Sequence, residues 1–309
     1  MNKIKIDYQF LLVKFPIIFP IIYGIVLYQF PNFENYLIFF TLLLLAESHF
    51  GATWPFFLNN SNFDFIKENK FSLIFIPIII SILCVAGFFL FKTTFLLIFF
   101  MANMYHVTRQ SFGIYKLYAK KIDQIKFQEF SIYLLNFIFF LIGFFRFYFP
   151  LIKNDFLIYL NLIIVLLIAF LLLYYFIKYN INDDFFVFFT GLIIFYPICF
   201  VNNPVHAIVM GVTMHYTQYL YLTYKVYLGR RKNNTVSTSK KKFFFIIFLY
   251  ALLMSIFSLF GKNSDEIISS LIIIPITGQM LHFFLDSQLW KFSVKHNRVN
   301  ILNYLTNKS

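Results

Sequence analysis

Four histidines stand in strongly apolar stretches, each nine or ten residues before a polar boundary. They are His49 before Asn59, His106 before Lys116, His215 before Lys225 and His282 before Lys291. At a helical rise of about 1.5 Å per residue, each imidazole falls roughly 15 Å inside one interface, near the middle of a roughly 30 Å hydrocarbon core. Ionisable groups at that depth face the protein interior, because lipid cannot satisfy them. Imidazole is also the commonest metal-binding side chain. Four imidazoles at one level on separate helices predict a buried metal centre with His49, His106, His215 and His282 as its ligands.

Polar neighbours recur at helical spacing around them. Asn103, His106, Arg109, Gln110 and Gly113 share one helix face, as do Gln279, His282 and Asp286. Gln218 stands one turn beyond His215 and Gly211 one turn before it, while Ala46, His49 and Thr53 share a face. Asn103, Gln110, Gln218 and Gln279 are therefore expected to orient the imidazoles, as the outer partners of metal-bound histidines do. Arg109 and Asp286 lie at similar depth and are expected to form a buried ion pair or to act in catalysis. Arg109 could also grip a carboxylate or phosphate on a substrate. Glu47 falls about 160° around a regular helix from His49. His206 falls about 180° around from His215 and toward the outer end of its span, which marks it as a surface or capping residue. His296 follows the last span and is expected in solvent.

The elements that must position these groups follow from composition. The chain has 309 residues, of which 60% are hydrophobic and 13% charged. Apolar runs recur from end to end, so the fold class is all-α, a polytopic helical membrane protein. All of 1–309 reads as one integral membrane domain of about ten transmembrane helices. They are expected near 8–30, 36–58, 71–91, 93–118, 127–149, 155–178, 184–202, 203–228, 243–260 and 265–290. The first apolar run has no small-residue cleavage site, so a retained helix is expected there. Cys84 and Cys199 form neither a CxxC motif nor a disulfide framework.

The net charge of +13 sits where positive-inside topology would put it. Twenty Lys and Arg collect on one side, including the run from Lys225 through Lys242, against Lys92, Lys153, Lys262 and Arg146 on the other. Both termini are expected on the cytoplasmic side of the plasma (inner) membrane. The basic stretch 229–242 is expected as a flexible cytoplasmic loop able to meet anionic membrane lipids. With no soluble basic domain, nucleic-acid binding is excluded as a function class. The segment after His106 also echoes that after His215, with His106, Thr108, Tyr115, Lys116 and Tyr118 matching His215, Thr217, Tyr224, Lys225 and Tyr227.

Four neutral imidazoles without a nearby carboxylate or thiolate pattern suit iron, copper or zinc, and Fe(II) bound only by histidine can leave positions open for dioxygen. No HExxH motif and none of the HxxxH and HxxHH boxes of diiron membrane desaturases is present. Histidines on separate membrane helices, with His-Phe-Gly-Ala at 49–52 on an early span, resemble the Brp/Blh family of membrane carotene dioxygenases. The resemblance implies an iron held by histidines in a helical bundle and cleavage of β-carotene into retinal. It implies His49 and His106 as the two early ligands and His215 on a late span. Gln218 and Tyr219 stand where the family's late helix carries its second histidine, which leaves the fourth place to His282. The function expected is therefore a membrane-embedded non-haem iron oxygenase acting with dioxygen on a lipophilic small molecule: a carotenoid, an isoprenoid or a fatty acyl chain. Two alternatives stay open. One is a b-type haem protein using two of the same histidines, and the other is a proton-coupled transporter with His, Arg109 and Asp286 along a polar path.

Overall fold

The computed structural model describes residues 7–119, 125–149, 154–179, 181–233, 239–261 and 265–306. Lys3, Lys5, Lys120, Lys121, Lys153, Lys262, Lys308 and the middle of the 229–242 loop lie outside the described residues. Among the described residues the fold is helical throughout, without strands. Eleven principal helices follow in chain order. They are α1 (Ile18–Gln29), α2 (Pro31–Phe57), α3 (Asn60–Glu68), α4 (Phe71–Leu90), α5 (Lys92–Tyr118), α6 (Ile125–Tyr148), α7 (Asn154–Lys178), α8 (Asp183–Ile193), α9 (Pro204–Lys232), α10 (Lys240–Phe260) and α11 (Glu266–Leu289).

Six of these, α2, α4, α6, α7, α10 and α11, are long and apolar enough to cross a membrane. Among the described residues the ten spans expected are thus not confirmed. The reasons differ among the other four. With 12 and 11 residues, α1 and α8 reach only about 18 Å, short of a roughly 30 Å core. With 27 and 29 residues, α5 and α9 are long enough, but they carry the polar groups that lower their hydropathy. The apolar faces of α4 and α7 are largely exposed, through Phe71, Ile78, Ile82 and Phe89 on one and Ile158, Leu162, Leu166 and Phe170 on the other. Exposed apolar surface of that kind belongs against lipid, so the protein is read as integral to a membrane. Residues 229–232 and 240–242 of the expected loop are helical, forming the end of α9 and the start of α10.

Local chemistry sets the helix ends. Ser239 caps α10 by accepting from the Lys242 N–H, and Asp265 caps α11 by accepting from those of Ile267 and Ile268. Pro204 occupies the first turn of α9, where its missing N–H costs nothing. Inside α2, residues Leu42–Ala46 form a π turn that ends at Glu47, two residues before His49. Such turns hold one residue more than an α turn and often sit at functional sites.

The chain divides into two compact units. Unit 1 comprises 1–34 and 104–218, and unit 2 comprises 35–103 and 219–309, so the boundary falls within α2, α5 and α9. In unit 1, α6 packs on α8 and on the 3-10 turn Tyr196–Cys199. Arg146 anchors this turn region by donating to the Ile198 and Val201 carbonyls and to Asn202 Oδ1. Gly211 lies so close to the Ile194 carbonyl that any Cβ there would overlap it, so the residue expected on a polar face serves close packing. In unit 2, α10 lies along the 47–57 part of α2, and the 273–289 part of α11 lies along the 76–90 part of α4. Phe56, Phe57, Leu73, Val226, Leu285 and Leu289 form one apolar core there, and Cys84, Phe88, Phe95, Ile273 and Ile276 another. Both cysteines are free and buried.

Candidate metal centre

Unit 2 gathers the chemistry. His49 stands on α2 and His282 and Asp286 on α11, one turn apart, and all three are almost fully excluded from solvent. They offer one donor atom each, all within 4.8 Å of one another, so the cluster can hold a metal ion. The rings of His49 and His282 are 4.3 Å apart between centroids at 72°. Two imidazoles bound side by side to one ion with bonds of about 2.0–2.1 Å bring their centroids to about 4.5 Å, close to this arrangement.

A chain of hydrogen bonds fixes the remaining atoms. Tyr219 donates its hydroxyl to Asp286 Oδ1 at 2.8 Å. Thr53 Oγ1 lies 2.9 Å from the Tyr219 oxygen and 2.6 Å from His282 Nδ1. Each hydroxyl has one proton. Tyr219 spends its own on Asp286, so Thr53 must donate to Tyr219, and His282 Nδ1 must then carry the proton that Thr53 accepts. The network thus assigns the Nδ1–H tautomer. His282 Nε2 is left as a lone pair 3.5 Å from Asp286 Oδ2. Two acceptors facing each other repel, and a cation between them turns that repulsion into attraction. Donors bound to a common ion at about 2.0–2.2 Å are separated by roughly 3–3.5 Å, so the spacing fits a metal.

The other expected site residues have surroundings of their own. In unit 1, His106 and His215 are both buried and meet each other, with ring centroids 5.5 Å apart at 86°. Arg109 is exposed on α5, and Asp286 accepts from Tyr219. Gly113 is exposed too, so the stripe read along α5 does not turn as one buried face. Gln218 donates to the Val13 carbonyl at 2.7 Å, which ties it to backbone rather than to an imidazole. Gln279 donates to Glu47 Oε1 at 3.0 Å, so its amide holds that fully buried carboxyl. Asn103 and Gln110 are half-buried. His206, expected at the surface, is 2% exposed and bonded to Tyr23 and Glu34. His296, expected in solvent, is half-buried, stacked on Phe65 at 4.3 Å and bonded to Asn62 Oδ1.

Sequence reasoning placed Thr53 on the His49 face but missed its contact with His282. It also missed Tyr219 as the support of Asp286, for which the one signal was a tyrosine set deep in a helix rather than at its end. No family model, curated protein or solved structure matches this chain.

Proposed function

We propose that the protein is a membrane-embedded non-haem iron oxygenase acting on a lipophilic substrate, its metal held by His49, His282 and Asp286. Two imidazoles and one carboxylate are the donor set that non-haem Fe(II) oxygenases use, with coordination positions left for reactants. The observation that carries the reading is the His282–Asp286 pair, two acceptor atoms 3.5 Å apart whose other atoms are held by Thr53 and Tyr219.

When bound, iron supplies the one-electron chemistry that lets dioxygen react with a closed-shell hydrocarbon. The chain's own residues do the rest. Thr53 fixes the tautomer and tilt of His282, and Tyr219 occupies Asp286 Oδ1 so that Oδ2 alone faces His282. Phe50 packs on His49 and His282 with centroids 4.7 and 5.0 Å away, which keeps water from the donors. Dioxygen and a carotenoid, isoprenoid or acyl chain both partition into the surrounding apolar phase, which supports a lipophilic substrate class.

Haem fits the geometry less well. Two imidazoles holding one haem iron from opposite sides would stand roughly 6 Å apart between centroids, whereas the His49–His282 and His106–His215 rings are 4.3 and 5.5 Å apart.

Metal analysis and an optical spectrum of the purified protein test the reading. Near-stoichiometric iron without a Soret band, lost on His282→Ala, is the expected result. Zinc in its place, a Soret band or a metal-free protein would sink it. His106 and His215, the other two ligands expected from the sequence, are decided by the iron content of His106→Ala and His215→Ala.

A further inference from the structure

Unit 2 carries a basic and aromatic surface at the start of α10 that the metal reading does not use. Phe243, Ile247 and Ala251 recur at one-turn spacing and are buried, which fixes the inner face of the helix. On that face Phe243 stacks on Tyr227 with centroids 4.2 Å apart. The outer face presents Phe244, Phe245 and Phe248, which are 49, 62 and 50% exposed. With Lys240 and Lys241 they line a recess of about 460 Å³. Lys240, Phe244 and Phe248 follow one another at one-turn spacing, and Lys241 and Phe245 run alongside.

Charge and depth are matched along this stripe. Lys240, Lys241 and Lys242 open the first turn of α10, which holds no acidic residue. That end of a helix carries a partial positive charge, so three ammonium groups there cost stability unless an anion sits beside them. Among the described residues no carboxylate pairs with Lys240 or Lys241. The Lys240 Nζ lies 5.5 Å over the Tyr224 ring, which itself packs on Phe244 at 5.4 Å. That contact positions the ammonium and leaves its N–H donors for an anion. The three phenylalanines follow Lys240 by roughly 6–12 Å along the helix axis. The polar layer of a bilayer is roughly 5–8 Å thick on each side, so lysines in that layer put the rings among the acyl chains.

We propose that this recess is the seat of one anionic phospholipid, its phosphate at Lys240 and Lys241 and an acyl chain along Phe244, Phe245 and Phe248. The lysines select the charge of the head, and the exposed rings select a tail. A soluble anion would use the lysines alone, and a zwitterionic lipid would bring its own cation toward them. The proposal is independent of the iron reading, and either can fail alone.

Native mass spectrometry of the full-length protein, titrated with dioleoyl phosphatidylglycerol and with dioleoyl phosphatidylcholine, tests it. Phosphatidylglycerol should bind about 25-fold more tightly, the product of two lysines at a factor of five each. Lys240→Gln and Lys241→Gln should each lower its affinity about fivefold while leaving the phosphatidylcholine affinity and the iron content unchanged. Arg231→Gln and Lys232→Gln make the same charge change at the exposed end of α9 and should leave both affinities unchanged. Excess glycerol 3-phosphate should not displace the lipid. Equal affinities for the two lipids would overturn the proposal. So would equal losses from the α9 and α10 substitutions, which would reduce the site to diffuse attraction by a basic segment. Displacement by glycerol 3-phosphate would overturn it by leaving an anion site with no seat for a chain.

Discussion

His206 in unit 1 and His282 in unit 2 are wired in the same order yet in opposite senses. Each has a hydroxyl 2.6 Å from Nδ1 and a carboxylate oxygen opposite Nε2. In unit 1 the second distance is 2.8 Å, an ordinary hydrogen bond, so Nε2 carries the proton and Tyr23 donates to Nδ1. In unit 2 it is 3.5 Å, too long for a good hydrogen bond, and the proton sits on Nδ1 because Tyr219 has spent its own on Asp286. One extra hydroxyl in the chain reverses the tautomer. A histidine beside a carboxylate thus turns a lone pair or a proton toward it according to what lies behind, and residue types alone do not decide which.

The strongest way to break the comparison is to remove each carboxylate. Asp286→Asn should abolish iron binding while Glu34→Gln leaves it intact, read as iron per chain by elemental analysis. Equal loss in both would show that the networks are not distinct. Next come the hydroxyls. Thr53→Val and Tyr219→Phe should each lower iron affinity roughly ten- to a hundredfold in competition with a chelator, the usual effect of losing the outer partner of a metal ligand. Tyr23→Phe should leave iron affinity unchanged. It should instead lower stability to denaturant by about 1–3 kcal/mol, because a buried ring nitrogen loses its donor.

The smallest effect concerns His296, whose Nε2 lies 2.9 Å from the neutral Asn62 amide oxygen. Partial burial and then Arg230 hold its pKa below the ordinary histidine value, with Glu68 offsetting part of this. The unfolded chain therefore binds a proton more readily than the folded one. The stability contributed is full above about pH 6.5 and is lost as pH falls through the folded value. Melting temperatures of the parent should fall more than those of His296→Gln on acidification from about pH 8 to pH 5.

The helical class and the membrane setting were legible because period and apolar run length report directly on them. So was the buried character of His49, His106, His215 and His282, since an imidazole in an apolar helix must face inward. Asp286 was legible as a neighbour of His282 because one turn of helix brings them together. What stayed hidden depends on contacts between distant residues. Tyr219 and Asp286 are 67 positions apart, and Glu34 and His206 are 172 apart. The ten-span count is not confirmed, for physical reasons of another kind. With 12 and 11 residues, α1 and α8 fall short of a roughly 30 Å crossing, and α1 leaves Ile18, Ile21, Ile22 and Ile25 exposed.

The direction of His49 depends on how Leu42–Ala46 are wound. Four consecutive leucines fill most of the π turn, so losing any one of them yields the same sequence. Five residues wound as a π turn sweep about 400°, nearly what four sweep in an α-helix, so that loss would leave everything after it facing as before. Keeping all four leucines while the turn relaxed to α would instead swing the rest of the helix by about 100° and aim the imidazole away from α11. The aim of the histidine thus rests on a winding that neither composition nor hydropathy records.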